Sequence, residues 1–373
     1  MKSSGNIGER IVLARKRKGL SLRALEAAMD GLVSAQAIGK YERGEMIPGS
    51  KVLIALAKAL DVAIPYLVSP QQARLQNVDF RKKASTTAKE RARVEAEVLQ
   101  AVERYLQIEQ ILDLPSERWE QPFEPVALTS LEEAEAVAAR VRQEWNLGDA
   151  PIRDLTELLE EKGIKVLLLD LPDTVSGLTC MVQRKGHADV PVIVVNQGHV
   201  LERRRHTLAH ELAHRLVVGS EEWIEKAVDR LAGALLIPEA PVLAELGRPR
   251  QSVSYREIML LKRHFRVSAI SLWVRLYRLQ IIGESTYQNA YRTFARTWRK
   301  DEPEAIESEP GTLEQPNRFQ RLCFRALSEG LISLVKAAEL LQMPVDQVVK
   351  GWRGPGPACG PGLGPACGPG PED

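Results

Sequence analysis

Cysteine is scarce in this chain, with four in 373 residues. Cys180 and Cys323 stand alone in segments that read as folded, and Cys359 and Cys367 lie in a glycine-proline tail. No two have metal-ligand spacing, and the pattern excludes a small disulfide-stapled scaffold. A surplus of one charge is also missing. The formal net charge is +2, so global charge alone does not mark the chain for nucleic acid. No N-terminal segment reads as a signal peptide, and no apolar run is long enough to span a bilayer. These absences predict a cytoplasmic protein without a membrane partner. What is present is ordinary for a soluble chain, 44% hydrophobic and 27% charged, with length enough for two or three domains.

Local patterning divides the chain. Residues 7–68 read as a set of short helices. Gly19 ends the first, Ser21 and Ser34 are caps for the second and third, and Gly44 closes the third. Residues 69–128 read as a helical linker dominated by one long helix from Thr86 to Leu112. Its apolar stripe at 94, 98, 102, 105, 106 and 108 requires a partner, either the neighbouring domain or a second copy of the chain. Residues 129–282 read as a second folded domain. Strands are expected at Ile164–Leu169 and Pro191–Asn196, and helices at about 130–146, 151–162, 200–218, 221–236, 254–264 and 268–280. Residues 283–350 read as a helical C-terminal module. There Ser333, Lys336 and the run AAELLQM fit a short helix pair that resembles a helix-turn-helix only loosely. A packing cap or dimer contact is the competing reading. Residues 351–373 repeat GPACGPG without the period of collagen and are expected to be a disordered tail.

Two basic clusters stand out, Arg10 with Arg15 to Lys18, and Arg81 to Lys83. Either is a candidate for phosphate contact or simply a solvated face. Around the first, the segment from Ser21 to Leu67, with IGKYERG, a proline, LIALAKALDV and YL, resembles the phage-repressor (XRE or Cro/C1) class of helix-turn-helix domains. The resemblance covers about 7–68 and implies double-stranded DNA as a partner. Ser34 would bring the start of the recognition helix to the groove or a phosphate. Gln36 would read a base edge, and Lys40 and Arg43 would meet phosphates or the domain itself. Ile38 and Tyr41 belong to the packing. The turn MDGLVS is longer than usual in that class, and Leu22 stands where glutamine is common.

The richest chemistry is in RRRHTLAHELAHRLV. His210 and His214 are four residues apart, on one helical face, with Glu211 beside the first. Leu208, Leu212 and Leu216 can bury another face of that helix. Downstream, Glu225 and Asp229 form an ExxxD pair on the next helix, reached through a reversal at Gly219 and Ser220. Two histidines and a carboxylate are one common ligand set of a catalytic zinc site. Solvated charge or a surface salt bridge is the plainer reading of both carboxylates.

Residues 150–282 resemble the ImmA/IrrE-type zinc metallopeptidases, through VSGLTCMV, VIVVNQ, the histidine helix, EKAVDRLAGALLIP and RVSAISLWVRLYRLQII, in that order. The resemblance implies a zincin-like core, His210, His214 and Glu225 as metal ligands, and Glu211 as catalytic base. Asp229 is then placed to orient a ligand imidazole. Zn2+ is the expected cofactor, with Mn2+ as a substitute. A repressor-type protein is the expected substrate, and a homodimer is a further expected assembly. His206, Leu231 and Val228 depart from the usual pattern without removing a ligand. Candidates for oxyanion stabilisation, His264 and Tyr255, lie in a later helix. The fold expected is multidomain and mainly α, with an all-α helix-turn-helix domain followed by an α+β zincin-like metallopeptidase core. Two competing functions are a non-proteolytic DNA-binding regulator that uses the zinc fold as sensor or scaffold, and a component of a toxin–antitoxin or phage-defence system.

Overall fold

The computed structural model describes residues 4–69, 73–80, 87–114, 119–184, 187–247, 249–306 and 313–354. The Arg81–Lys83 cluster, and the tail from 355 with Cys359 and Cys367, lie outside the described residues.

Five helices open the chain: α1 (Ser4–Arg17), α2 (Leu22–Ala28), α3 (Ala35–Glu42), α4 (Ser50–Leu60) and α5 (Ile64–Val68). Ile11, Leu25, Met29, Ile38, Tyr41, Leu56 and Leu60 meet in one apolar core. Both expected serine caps form: Ser21 accepts from the Ala24 N–H and Ser34 from the Ala37 N–H. The long turn between α2 and α3 is taken up by Asp30 and Gly31, both in the left-handed region (φ 53° and 68°).

The stretch 69–128 contains a strand that its sequence did not announce. β1 (Ala73–Phe80) pairs antiparallel with β4 (Gly177–Arg184). Helix α6 (Ala88–Ile111) follows, begun by a capping box of Thr87 and Glu90. Its stripe has found its partners within the chain. Val94, Val98, Val102 and Leu106 pack on one face of the sheet, and Tyr105, Ile108 and Leu112 pack on the C-terminal helices.

The mixed region begins with β2 (Val126–Ala127), α7 (Glu133–Glu144), α8 (Leu155–Glu161) and β3 (Lys165–Leu169). β4 and β5 (Val190–Asn196) complete a sheet of order β1-β4-β5-β3, parallel only between β3 and β5. The apolar run of β5 is explained by burial on both faces. Val190, Val192 and Val194 face the α6 layer, while Ile193 and Val195 face α9 (Leu201–Leu216). Cys180 lies in the α6 layer, where burial pushes its thiol up to about 12, as befits a packing residue.

After α9 the two-residue strand β6 (Val217–Val218) pairs with β2, and the chain reverses into α10 (Glu221–Leu236). Then come α11 (Glu239–Leu246), α12 (Tyr255–Phe265), α13 (Ala269–Arg278) and α14 (Glu284–Ala290), which runs on into a π turn. Three helices end the described chain: α15 (Asn317–Ser328), α16 (Leu334–Leu341) and α17 (Val345–Arg353). Buried charges tie the layers together. Lys165 pairs with Glu109, and Lys262 with Glu202. Glu314 pairs with Arg205 and accepts the Leu155 and Thr156 N–H groups at 2.9 Å. No described helix is long and apolar enough to cross a membrane.

Candidate metal centre

Helix α9 is anchored by Leu208, Leu212 and Leu216, all buried in the core shared with β5 and α10. That anchoring fixes the turn on which the histidines sit. His210 is fully buried and His214 nearly so, and their rings meet edge to face with centroids 4.8 Å apart. The two Nε2 atoms approach to 3.0 Å. Two ring nitrogens at that distance repel unless a proton or a cation lies between them.

Helix α10 returns over α9 and brings Glu225 to the same point. Its carboxylate oxygens are 3.4 Å from His210 Nε2 and 3.4 Å from His214 Nε2. A tetrahedral zinc with bonds of about 2.0–2.1 Å separates its ligand atoms by about 3.3 Å. The three donor atoms found here, all within 4.8 Å of one another, fit that figure. Glu225 thus faces both histidines, although half its side chain stays exposed. This His-His-Glu set can coordinate a divalent metal.

Asp229, one turn further along α10, accepts from His210 Nδ1 at 2.8 Å. With the proton on Nδ1, this contact would leave the Nε2 lone pair free for a cation. Asp229→Asn is expected to weaken metal binding by about 10- to 100-fold. Competition against a chromophoric chelator measures it, and an affinity equal to the parent's would remove Asp229 from this role.

Glu211, next along α9 after His210, is almost wholly buried. It sits beneath the first residue of β4. A Cβ on Gly177 would fall 3.8 Å from Glu211 Cγ, but only 2.5 Å from Thr207 Cγ2 and 2.6 Å from the Val194 carbonyl oxygen. Only glycine lets the strand come this close. Gly177→Ala is expected to cost about 1–3 kcal/mol by overpacking, and a denaturant titration reads it. Arg215, half-buried, donates to the Cys180 carbonyl and so fastens α9 to β4. Burial pulls its guanidinium down to about 10, against the opposing charge of Glu211.

Residues 11–67 match the helix-turn-helix family, and residues 159–277 match the family described as the IrrE N-terminal-like domain. The chain fuses a helix-turn-helix domain to an IrrE/ImmA-like domain. No curated protein and no solved structure matches it. The layered α+β region with its His-His-Glu triad is consistent with a zincin-like peptidase fold.

In the IrrE-like region the triad opens into a groove of about 1270 Å³. His214, Glu225 and Asp229 line it, together with Arg203, Arg278 and Tyr287. Arg203 and Tyr287 are not evident from the sequence because they belong to helices remote from one another in the chain. The one signal there is the RRR run that begins α9. His206 also lines the groove, its ring centroid 6.4 Å from that of His210. Tyr255 and His264 are exposed on α12 and do not line it.

In the helix-turn-helix domain, Ser34, Gln36, Lys40 and Arg43 are all exposed along α3 and its ends. Arg43 is engaged by Glu45, which it contacts at 2.6 and 3.1 Å and whose carboxyl it holds below the usual range. The first basic cluster is largely consumed within the protein. Arg10 pairs with Glu103, Arg15 with Glu42, and Lys18 with Asp61. Arg17 donates to Gln100 and to the carbonyls of Leu60 and Asp61. As a phosphate-binding patch the cluster is thus reduced, and the exposed residues of α3 carry the case for DNA.

Proposed function

We propose that this protein is a metal-dependent endopeptidase whose substrate is a repressor-type regulatory protein, brought to its target by the N-terminal DNA-binding domain. The observation that carries the reading is the donor set of His210, His214 and Glu225, of which His214 and Glu225 line an open groove. An open groove of about 1270 Å³ has room for a segment of a peptide chain.

His210, His214 and Glu225 would hold Zn2+, or Mn2+ in its place, which when bound supplies Lewis acidity and an acidified water. The remaining work falls to the chain. Glu211 takes a proton from water on its carboxylate and delivers it to the departing amine nitrogen. Asp229 keeps His210 in one tautomer and one orientation. The packing of Gly177 on Thr207 fixes the strand that covers Glu211. Ser34, Gln36, Lys40 and Arg43 bind duplex DNA, Gln36 at a base edge and the cations at phosphates.

Fusion to a DNA-binding domain supports a regulatory protein over a nutrient peptide as substrate. The test is to incubate the zinc-loaded chain with helix-turn-helix repressors from the same genome and with an unrelated unfolded protein. Fragments from one repressor, at one bond, are the expected result. Indiscriminate cleavage of the unfolded protein would contradict the substrate class. No cleavage of anything, with DNA binding intact, would favour a non-proteolytic regulator.

A further inference from the structure

Helices α15, α16 and α17 lie outside both matched segments. Yet α17 and the residue after it, VDQVVKGWRG, align with α3 and its turn, AQAIGKYERG, at one apolar position and at a lysine, an arginine and a closing glycine. Val348 stands where Ile38 stands, and both are buried. Lys350 corresponds to Lys40 and Arg353 to Arg43, and all four are exposed. Gly354 corresponds to Gly44, and both have a positive φ at the end of their helices (77° and 72°).

The preceding helix repeats the plan. Ser333 caps α16 as Ser21 caps α2, each at φ −78°, each accepting from the backbone N–H three residues on. Gln342 leaves α16 at φ 54°, as Asp30 leaves α2 at φ 53°. The turn 342–344 has the length typical of a helix-turn-helix, whereas the turn after α2 is longer. α15 completes a three-helix core in which Leu322, Cys323 and Ala326 meet Ala337, Leu340 and Val348. Gly351 packs on the Phe324 ring, where a Cβ would come within 2.9 Å.

We propose that α15–α17 are a second helix-turn-helix, which binds double-stranded DNA with α17 in the major groove. The charge on α17 is suited to that partner. Lys350 and Arg353 meet phosphates. The exposed Gln347 reads adenine, and Asp346, in the place of Gln36, accepts from the cytosine amino group. α6 serves both units. Arg10 and Arg17 of α1 bind Glu103 and Gln100 on α6, and Arg104, next along that helix, donates to the Leu340 carbonyl at 2.8 Å. The two reading helices are therefore mounted on one spine, and the DNA site has two parts.

The test uses the full chain and a pool of random-sequence duplexes about 40 base pairs long, enough for two sites a helical turn or more apart. Bound duplexes are enriched, footprinted and titrated across salt. Lys350→Gln with Arg353→Gln is expected to weaken binding roughly tenfold and to lower the salt slope by about two, one for each phosphate no longer neutralised. One half of the footprint disappears while metal content and melting temperature stay unchanged. Should that pair of changes unfold the module, Asp346→Asn alone is expected to alter the enriched base at one position. The proposal is overturned if affinity, salt slope and footprint match the parent's in the first variant, or if Asp346→Asn enriches the same sequence. It is overturned equally if the parent chain enriches no duplex.

Discussion

Glu211→Gln is expected to leave metal binding at the parent's level and to slow peptide cleavage by a factor of about 10² to 10⁴, the usual worth of a positioned general base. The amide has nearly the shape of the carboxylate, so the packing beneath Gly177 survives. It cannot accept the proton, so the chemical step fails. None of the three donor atoms belongs to Glu211, which is why occupancy should not change. Elemental analysis together with single-turnover cleavage separates the two effects. Loss of metal along with activity would mean that Glu211 is structural. Full activity would mean that the base lies elsewhere.

His214→Ala is expected to remove metal and activity together. It deletes one of three donors and leaves Glu225 opposite His210 alone, too few protein ligands for a catalytic zinc site of this class. The difference is visible without a substrate. A ligand present at 100 times its Kd stabilises the folded state by about 2.7 kcal/mol, so the parent's melting temperature should fall on adding a chelator. The variant's should not move. A variant that kept the chelator response would place the metal elsewhere. Together with Glu211→Gln, this variant distinguishes a residue that holds the ion from one that handles the proton.

Much of this centre was legible in the sequence because its parts are local. Four-residue spacing puts His210 and His214 on one face whatever surrounds them, and the leucines at 208, 212 and 216 settle which face is buried. Glu225 and Asp229 were harder, since one reversal of the chain decides whether they face the histidines or water. The capped helices of the N-terminal domain and the β-branched run of β5 were also plain. β1 was not, because its pairing partner lies about a hundred residues away and its own alternation is weak. β4 was equally hidden, its glycine start chosen for the approach to Thr207. The long helix at 88–111 announced an apolar stripe but not its partners, which are the sheet and the C-terminal helices. Charge was the least readable property. Arg10, Arg15 and Arg17 look like part of a phosphate patch in the sequence and are internal ties in the fold, while Lys18 pairs with Asp61 at the surface.

The most direct test is intact-mass spectrometry of a repressor-type protein after incubation with the zinc-loaded chain, beside an equal incubation with Glu211→Gln. The account predicts two fragments whose masses sum to that of the substrate plus one water with the parent chain, and an intact substrate with the variant. Equal fragmentation by both proteins, or an intact substrate with both across the genome's repressors, would contradict it.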